Sequence, residues 1–270
     1  MSAEESTMVE VLAIEPHISM IRLNRPDRLN ALTFEMVAEI HDALDTVGND
    51  TECKVVILTG AGRGFSAGLD LKDWGTAPEP GEHPHVRAGI DAQTFISNLV
   101  VHMRDLPQVI IAAVNGAAFG GGLALACASD IRLAGPDARF CSAFIRTGLS
   151  GTDIGITYLL PRLIGNARAF DLILTGRDID AAEAFQMGLV SRVADEGGLD
   201  ELALSYARQM ATYTATGLRT TKEVLWHNTD APSLSSALAV EIRNQNLMQY
   251  APDVREYMKT YRQRTTGSKS

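Results

Sequence analysis

Apolar and polar positions alternate loosely over residues 9–14 and cleanly over 17–23, where Ile18, Met20, Ile21 and Leu23 compete for one buried face. Both stretches predict β-strands, with Glu15-Pro16 as the turn between them. Beyond Asn24-Arg25-Pro26-Asp27 the period lengthens. Val37, Ile40, Leu44 and Val47 fall at helical spacing, and Thr33 ahead of them is suited to an N-cap. Two unbroken apolar runs, 54–59 and 109–114, predict strands buried on both faces. The first ends in Gly60-Ala61-Gly62-Arg63-Gly64, and the second in Asn115-Gly116 followed by Gly120-Gly121-Gly122. Between them, a polar stretch with Pro78, Pro80 and Pro84 precedes a helix expected at about 89–104. Strands alternating with helices predict βαβ units, an α/β fold and much parallel pairing. From about residue 197 the pattern is wholly helical, over 199–212, 216–229, 232–248 and 251–264, with Pro232 and Pro252 near two starts. The expected division is an α/β core over 1–195 and a helical region over 196–270. That helical region must bury its apolar stripe on the core or on another subunit.

Composition narrows the function classes. The 270 residues are 46% hydrophobic and 21% charged, with mean hydropathy +0.01, enough for a large core without disulfides or a structural metal. Net charge is −9 and no basic stripe interrupts it, which argues against nucleic acid as a partner. Cys53, Cys127 and Cys141 are odd in number and lack C-x-x-C spacing, as expected in a reducing compartment. The opening MSAEESTMVE is acidic and polar, unlike a signal peptide. No apolar run reaches the roughly 18 residues of a membrane span. The expected location is the cytoplasm.

Two glycine motifs invite familiar readings that fail on context. Residues 62–67 fit G-x-G-x-x-A after a strand, but a dinucleotide site needs an acidic residue about 20 positions on, ending a second strand. That region is proline-rich. Residues 64–68 fit G-x-S-x-G, but several loop residues separate the serine from its strand, and the only histidine in the second half is His227, in the helical region. Taken together, the loops say more. Each follows a buried strand, and the second opens the apolar helical run 123–128. Two such loops side by side can aim two backbone N–H donors at one oxygen, although close helix–strand packing also uses glycine this way.

At this point the chain resembles the crotonase superfamily, the enoyl-CoA hydratase/isomerase family, along nearly its whole length. The matching words are Leu23-Asn24-Arg25-Pro26, Leu29-Asn30-Ala31-Leu32, Phe65-Ser66-Ala67-Gly68-Leu69-Asp70-Leu71-Lys72, and Val114 through Gly122, followed by Leu174-Thr175-Gly176-Arg177 and Gly188-Leu189-Val190. The resemblance implies a spiral of ββα repeats and a helical C-terminal region used in forming a trimer or a dimer of trimers. It also implies a CoA thioester substrate, no other cofactor or metal, and a place in acyl-CoA or fatty-acid metabolism. The N–H groups of Leu69 and Gly121 would hold the thioester oxygen, framed by Ser66, Ala67, Gly68, Asp70 and Gly120. Arg28, Ala31 and Lys72 fall where the family contacts CoA.

The usual proton carriers do not carry over. Hydratases of the family place one glutamate two residues after the triple glycine and a second twenty residues later. These positions are Ala124 and Phe144 here, so a methyl and a phenyl group would line the acyl site instead. Nearby, the stretch from Gly148 to Gly165 resembles family members that work with an aspartate: in chlorobenzoyl-CoA dehalogenases the nucleophilic carboxylate aligns with Asp153, and dienoyl-CoA isomerases keep an aspartate close by. At a helix start near Ile154, Asp153 would gain from the helix dipole and have a lowered pKa; capping that helix is its alternative role. Lesser candidates are His83 and His85 on a lid, Tyr158 and Ser142 as donors to the acyl group, Phe119 in the acyl wall, and Lys259 and Arg262 toward CoA phosphates. The loop from 75 to 91 is expected to shape the acyl pocket. An acyl-CoA binder without turnover and an Asp153-dependent CoA-ester hydrolase or dehalogenase remain as alternatives.

Overall fold

The opening alternation forms a hairpin. β1 (Val9–Glu15) and β2 (Ile18–Leu23) pair antiparallel in the computed structural model, which describes residues 7–77, 86–148 and 150–266. α1 (Phe34–Asn49) starts where the N-cap predicts: the Thr33 hydroxyl accepts from the Met36 N–H at 3.2 Å, and Val37, Ile40, Leu44 and Val47 are buried. β3 (Val55–Gly60) and β5 (Val109–Val114) are buried at every position and pair in parallel. With β7 (Ile131–Ala134) and β10 (Arg192–Val193) they complete a six-stranded sheet in the order β1-β2-β3-β5-β7-β10.

After each of β3, β5 and β7 the chain enters a second sheet, through β4 (Gly64–Ser66), β6 (Ala117–Phe119) and β8 (Arg139–Cys141), which are mutually parallel. β9 (Asp178–Asp180) closes that sheet antiparallel to β8. α2 (Val86–Asp105) follows β4, and α3 (Gly121–Ala128) follows β6. Each turn of the chain is thus a long strand, a short strand and a helix, the expected ββα spiral. The three-residue strands left no mark in the pattern, because three positions are too few to show a period. α2 begins at Val86, so the latter part of the expected 75–91 loop is helix. A 3-10 turn (Ala143–Thr147), α4 (Ile156–Ile164), α5 (Asn166–Thr175) and α6 (Ala181–Met187) complete the third repeat.

The last four helices are α7 (Leu199–Ala211), α8 (Ala215–Asn228), α9 (Leu234–Met248) and α10 (Pro252–Thr266), close to the expected spans. α7 lays Leu199, Ala203 and Ala207, spaced by four, against Ile18, Val55, Ile57, Ile111 and Leu133 of the large sheet. α8 is tied down by Lys222, only 4% exposed, whose Nζ donates to the Met103 and Gln108 carbonyls at 3.0 and 2.9 Å and pairs with Asp130 at 3.1 Å. α9 buries nothing, leaving Leu234, Ile242 and Leu247 exposed. All three cysteines are buried free thiols. Among the described residues no helix is long and apolar enough to cross a membrane, and no cluster of three His, Cys, Asp or Glu could hold a metal.

Candidate active site

The two glycine loops meet. After β4 the chain turns through Ala67 and Gly68, and Leu69 forms an isolated parallel bridge with Leu32. The Leu32 N–H donates to the Gly68 carbonyl at 2.8 Å, and the Asp70 N–H to the Leu32 carbonyl at 2.9 Å. In that pattern the central residue's own N–H points to the other side, and the Leu69 N–H donates to no acceptor among the described residues. Across from it Gly121 opens α3, where first-turn N–H groups have no partner within the helix. A Cβ on Gly68, whose φ is +85°, would lie 2.6 Å from the Phe119 carbonyl oxygen and 3.0 Å from the Gly121 nitrogen. One on Gly122 would lie 2.2 Å from the Ser66 carbonyl oxygen. Only glycine lets the loops approach this closely. Asn115 stitches the arrangement together, its Nδ2 donating to the carbonyls of Gly60 and Gly62, both at 2.9 Å.

Leu69 and Gly121 line a cavity of about 290 Å³, together with Trp74, Gln93, Phe144 and Asp153. Phe144 stands beside Gly120, its ring 3.7 Å from where a Cβ there would be. Among the described residues of the lining, Asp153 is the only ionisable one. Ala124 corrects an expectation: it is fully buried inside α3 and does not line the cavity.

Two carboxylates flank the glycine loops. Asp70, 6% exposed, accepts from the Lys72 and Asp73 N–H groups at 3.1 and 3.2 Å, and Arg25 and Arg28 each approach it to 3.3 Å. Burial alone would raise its pKa, but these backbone donors and guanidinium groups together outweigh burial and lower it. Asp153 behaves oppositely, and against the expectation of a lowered pKa. Burial pushes it up, outweighing hydrogen bonds from the Ile154 N–H and the Gln93 carboxamide. The helix it was expected to start begins instead at Ile156, with Gly155 as N-cap and no side-chain cap. The Asp153 side chain therefore does not cap α4. Its Oδ1 accepts from the Ile154 N–H at 2.8 Å and from Gln93 Nε2. Ile154 has φ +45°, a conformation that strains a β-branched residue by about 1–3 kcal/mol. Its buried side chain packs against the second loop, with Cδ1 3.2 Å from where a Cβ on Gly121 would be.

The other expected ligand contacts gather behind the first loop. Ser66 is fully buried, its hydroxyl donating to the Asn30 carbonyl at 2.8 Å and accepting from the Gly68 N–H at 3.3 Å. Ala31 is buried, its carbonyl accepting from Arg25. Arg28 and Lys72 reach solvent beside Asp70. Tyr158 is not at the cavity: its hydroxyl meets Asp230, and its ring lies 3.5 Å from the Arg162 guanidinium. Ser142, also expected at the acyl group, is fully buried and absent from the lining, and its hydroxyl has no partner among the described residues. Phe119 is likewise absent from the lining. Lys259 pairs with Glu256 on the surface at 3.1 Å. His83 and His85 lie outside the described residues. Sequence reasoning missed Gln93 and Ile154. Gln93 belongs to no motif, and nothing local marks it as a partner of a residue sixty positions away.

The comparisons with known proteins bear on the family of the chain. Residues 13–267 match the enoyl-CoA hydratase/isomerase family model. The Mycobacterium tuberculosis protein EchA12, named a probable enoyl-CoA hydratase, is 42% identical over 226 residues, covering 84% of this chain and 79% of that protein. The 1,2-epoxyphenylacetyl-CoA isomerase of Escherichia coli is 37% identical over 243 residues, covering 90% and 91%. Among solved structures, a probable enoyl-CoA hydratase/isomerase from Mycobacterium abscessus superposes with a TM-score of 0.88 at 36% identity, covering 96% of each chain. The chain belongs to the enoyl-CoA hydratase/isomerase family.

Proposed function

We propose that this acyl-CoA enzyme is an isomerase that moves a proton along the acyl chain with one carboxylate. The Leu69 and Gly121 N–H groups both donate to the thioester oxygen. Asp153 takes a proton from an acyl carbon: the C–H bond breaks, an O–H bond forms, and the electron pair moves onto the thioester as an enolate. The two amides stabilise the charge that develops on oxygen, at a helix N-terminus whose dipole favours it. The same carboxyl then returns the proton to another carbon, so no external acid, base or water is consumed. The observation that carries this reading is Asp153 in a cavity lined by the Leu69 and Gly121 amides, the one ionisable group of the lining and two amides without an acceptor among the described residues. Burial raises the Asp153 pKa, which suits a proton acceptor better than a nucleophile and favours isomerase over the dehalogenase-like alternative. Hydration fits less well, since Phe144 is apolar and the described lining offers one carboxylate, Asp153, to hold and activate water.

The cavity's size suits a compact acyl group, with Arg28 and Lys72 available to CoA phosphates. The exposed apolar side chains of α9 suit burial between copies of the chain, in a trimer or a dimer of trimers. A cytoplasmic role in fatty-acid or related acyl-CoA metabolism follows from the same reading. The test is turnover of a panel of unsaturated acyl-CoA thioesters in D₂O. Wild type should shift the double bond and exchange acyl hydrogens, and Asp153→Asn should lose about 10²–10⁴ in kcat with its circular dichroism unchanged. Undiminished turnover by Asp153→Asn, or hydrated products alone, would overturn the proposal. Binding without any product would support the binder instead.

A further inference from the structure

The hydrogen bonds to Asp153 divide its two oxygens. Oδ1 accepts from the Ile154 N–H at 2.8 Å and from Gln93 Nε2. Oδ2 accepts from no group among the described residues. A carboxylate oxygen that already accepts two donors has little capacity left for a transferring proton, whereas a bare one keeps its lone pairs. The two donors also differ in kind. The Ile154 N–H is held by the backbone, in a left-handed conformation locked by a buried side chain. Gln93 comes from α2, sixty residues earlier, on an exposed turn of that helix. Its carboxamide spans the cavity wall from one element to the other, and both residues line the cavity.

From this geometry we propose that Gln93 is a positioning residue for Asp153, clamping Oδ1 so that Oδ2 alone exchanges the proton with the acyl chain. The inference rests on Asp153 being the proton carrier. Gln93 donates to the charged carboxylate, so it stabilises the ionised form and limits how far burial raises the pKa. It also fixes the rotation of the carboxyl group about its Cβ–Cγ bond, which sets the direction of Oδ2. An uncharged clamp suits this task, since a lysine or arginine in its place would hold the carboxylate too firmly ionised to act as a base.

The test compares Gln93→Met, Gln93→Glu and Asp153→Asn. Met preserves length and helix propensity but removes the donor, and Glu replaces it with a repelling charge. In both Gln93 variants the acidic limb of the kcat/KM profile should move to higher pH, further for Glu. For Gln93→Met, kcat near neutrality should fall about tenfold, the scale of one lost charge-assisted hydrogen bond, with KM little changed and partial recovery at higher pH. A merely structural role would lower the melting temperature and leave the limb in place, and that result overturns the inference. Asp153→Asn separates the two levels. If it retains wild-type turnover, the proton-carrier reading fails; if it is inactive while the Gln93 limbs stay unmoved, only the role of Gln93 fails.

Discussion

Asp70 and Asp153 sit on the two segments that frame the cavity, and the surroundings of each assign them opposite work. Around Asp70 the loop curls so that two backbone N–H groups and two arginines converge on one buried carboxylate. Around Asp153 the backbone supplies one N–H and a distant helix one carboxamide, both to the same oxygen. Burial penalises the charge in both cases, but only at Asp70 do the partners outweigh it. The lesson is that partially compensated burial makes a base and fully compensated burial makes a brace. On the proposed mechanism the loop presents the Leu69 N–H at a fixed angle, and Asp70 is its brace. On the same mechanism Asp153 gains and loses a proton in each turnover, and partial compensation leaves it able to do so.

The largest expected effect is the kinetic loss in Asp153→Asn described above, which a rigid brace would not produce. Next comes Gly68→Ala. Its methyl group would press on the Phe119 carbonyl and the Gly121 nitrogen, forcing the loops apart. Loss of one oxyanion donor typically costs about 10²–10³ in kcat, and steady-state kinetics should read a fall of this order with the acidic limb unmoved. A Gly68→Ala enzyme with wild-type kcat would separate the glycine contact from the chemistry. Smaller again is Asp70→Ala. Removing the shared acceptor of Lys72, Asp73, Arg25 and Arg28 should cost about 1.5–3 kcal/mol of stability, measured by urea unfolding, and shift no pKa of the reaction. A moved acidic limb in that variant would mean the brace and the base are coupled.

The parts of this site differ in how openly the sequence declares them. The glycine loops were legible because their constraint is local. A Cβ at Gly68 or Gly122 collides whatever happens elsewhere, so the residue type itself carries the information. The long strands and the terminal helices were legible because six or more residues display a period. The three-residue strands were not, and neither was the state of Asp153. Its expected depressed pKa assumed a helix start at Ile154, but positive φ at both Ile154 and Gly155 delays the helix by two residues. What raises the pKa is burial by tertiary packing, which the neighbouring residues in the chain do not encode. Gln93 and the outward-turned Tyr158 fall in the same class, since each is defined by a partner sixty or more positions away.

The smallest expected effect tests the comparison through stability alone. Asp70 has a folded-state pKa below its unfolded value, so the folded chain binds its proton less tightly. Its contribution is present above the unfolded pKa and is lost as pH falls through the folded one. Asp153 has a folded-state pKa above its unfolded value, so the sign reverses. Between those two values the folded chain holds the proton more often than the unfolded chain, and stability falls as pH rises across the window. Ionised Asp153 is therefore a net destabilising element near neutrality, and Asp153→Asn should unfold at a higher urea concentration than wild type there. The advantage should shrink as pH is lowered through the raised folded-state pKa, where the wild-type carboxyl becomes protonated and neutral like the amide. Asp70→Ala should show the opposite trend, with its deficit shrinking only on the acid side as the wild-type carboxylate protonates. Parallel shifts in both variants would mean the two carboxylates share one environment, and the division into brace and base would fail without any kinetic measurement.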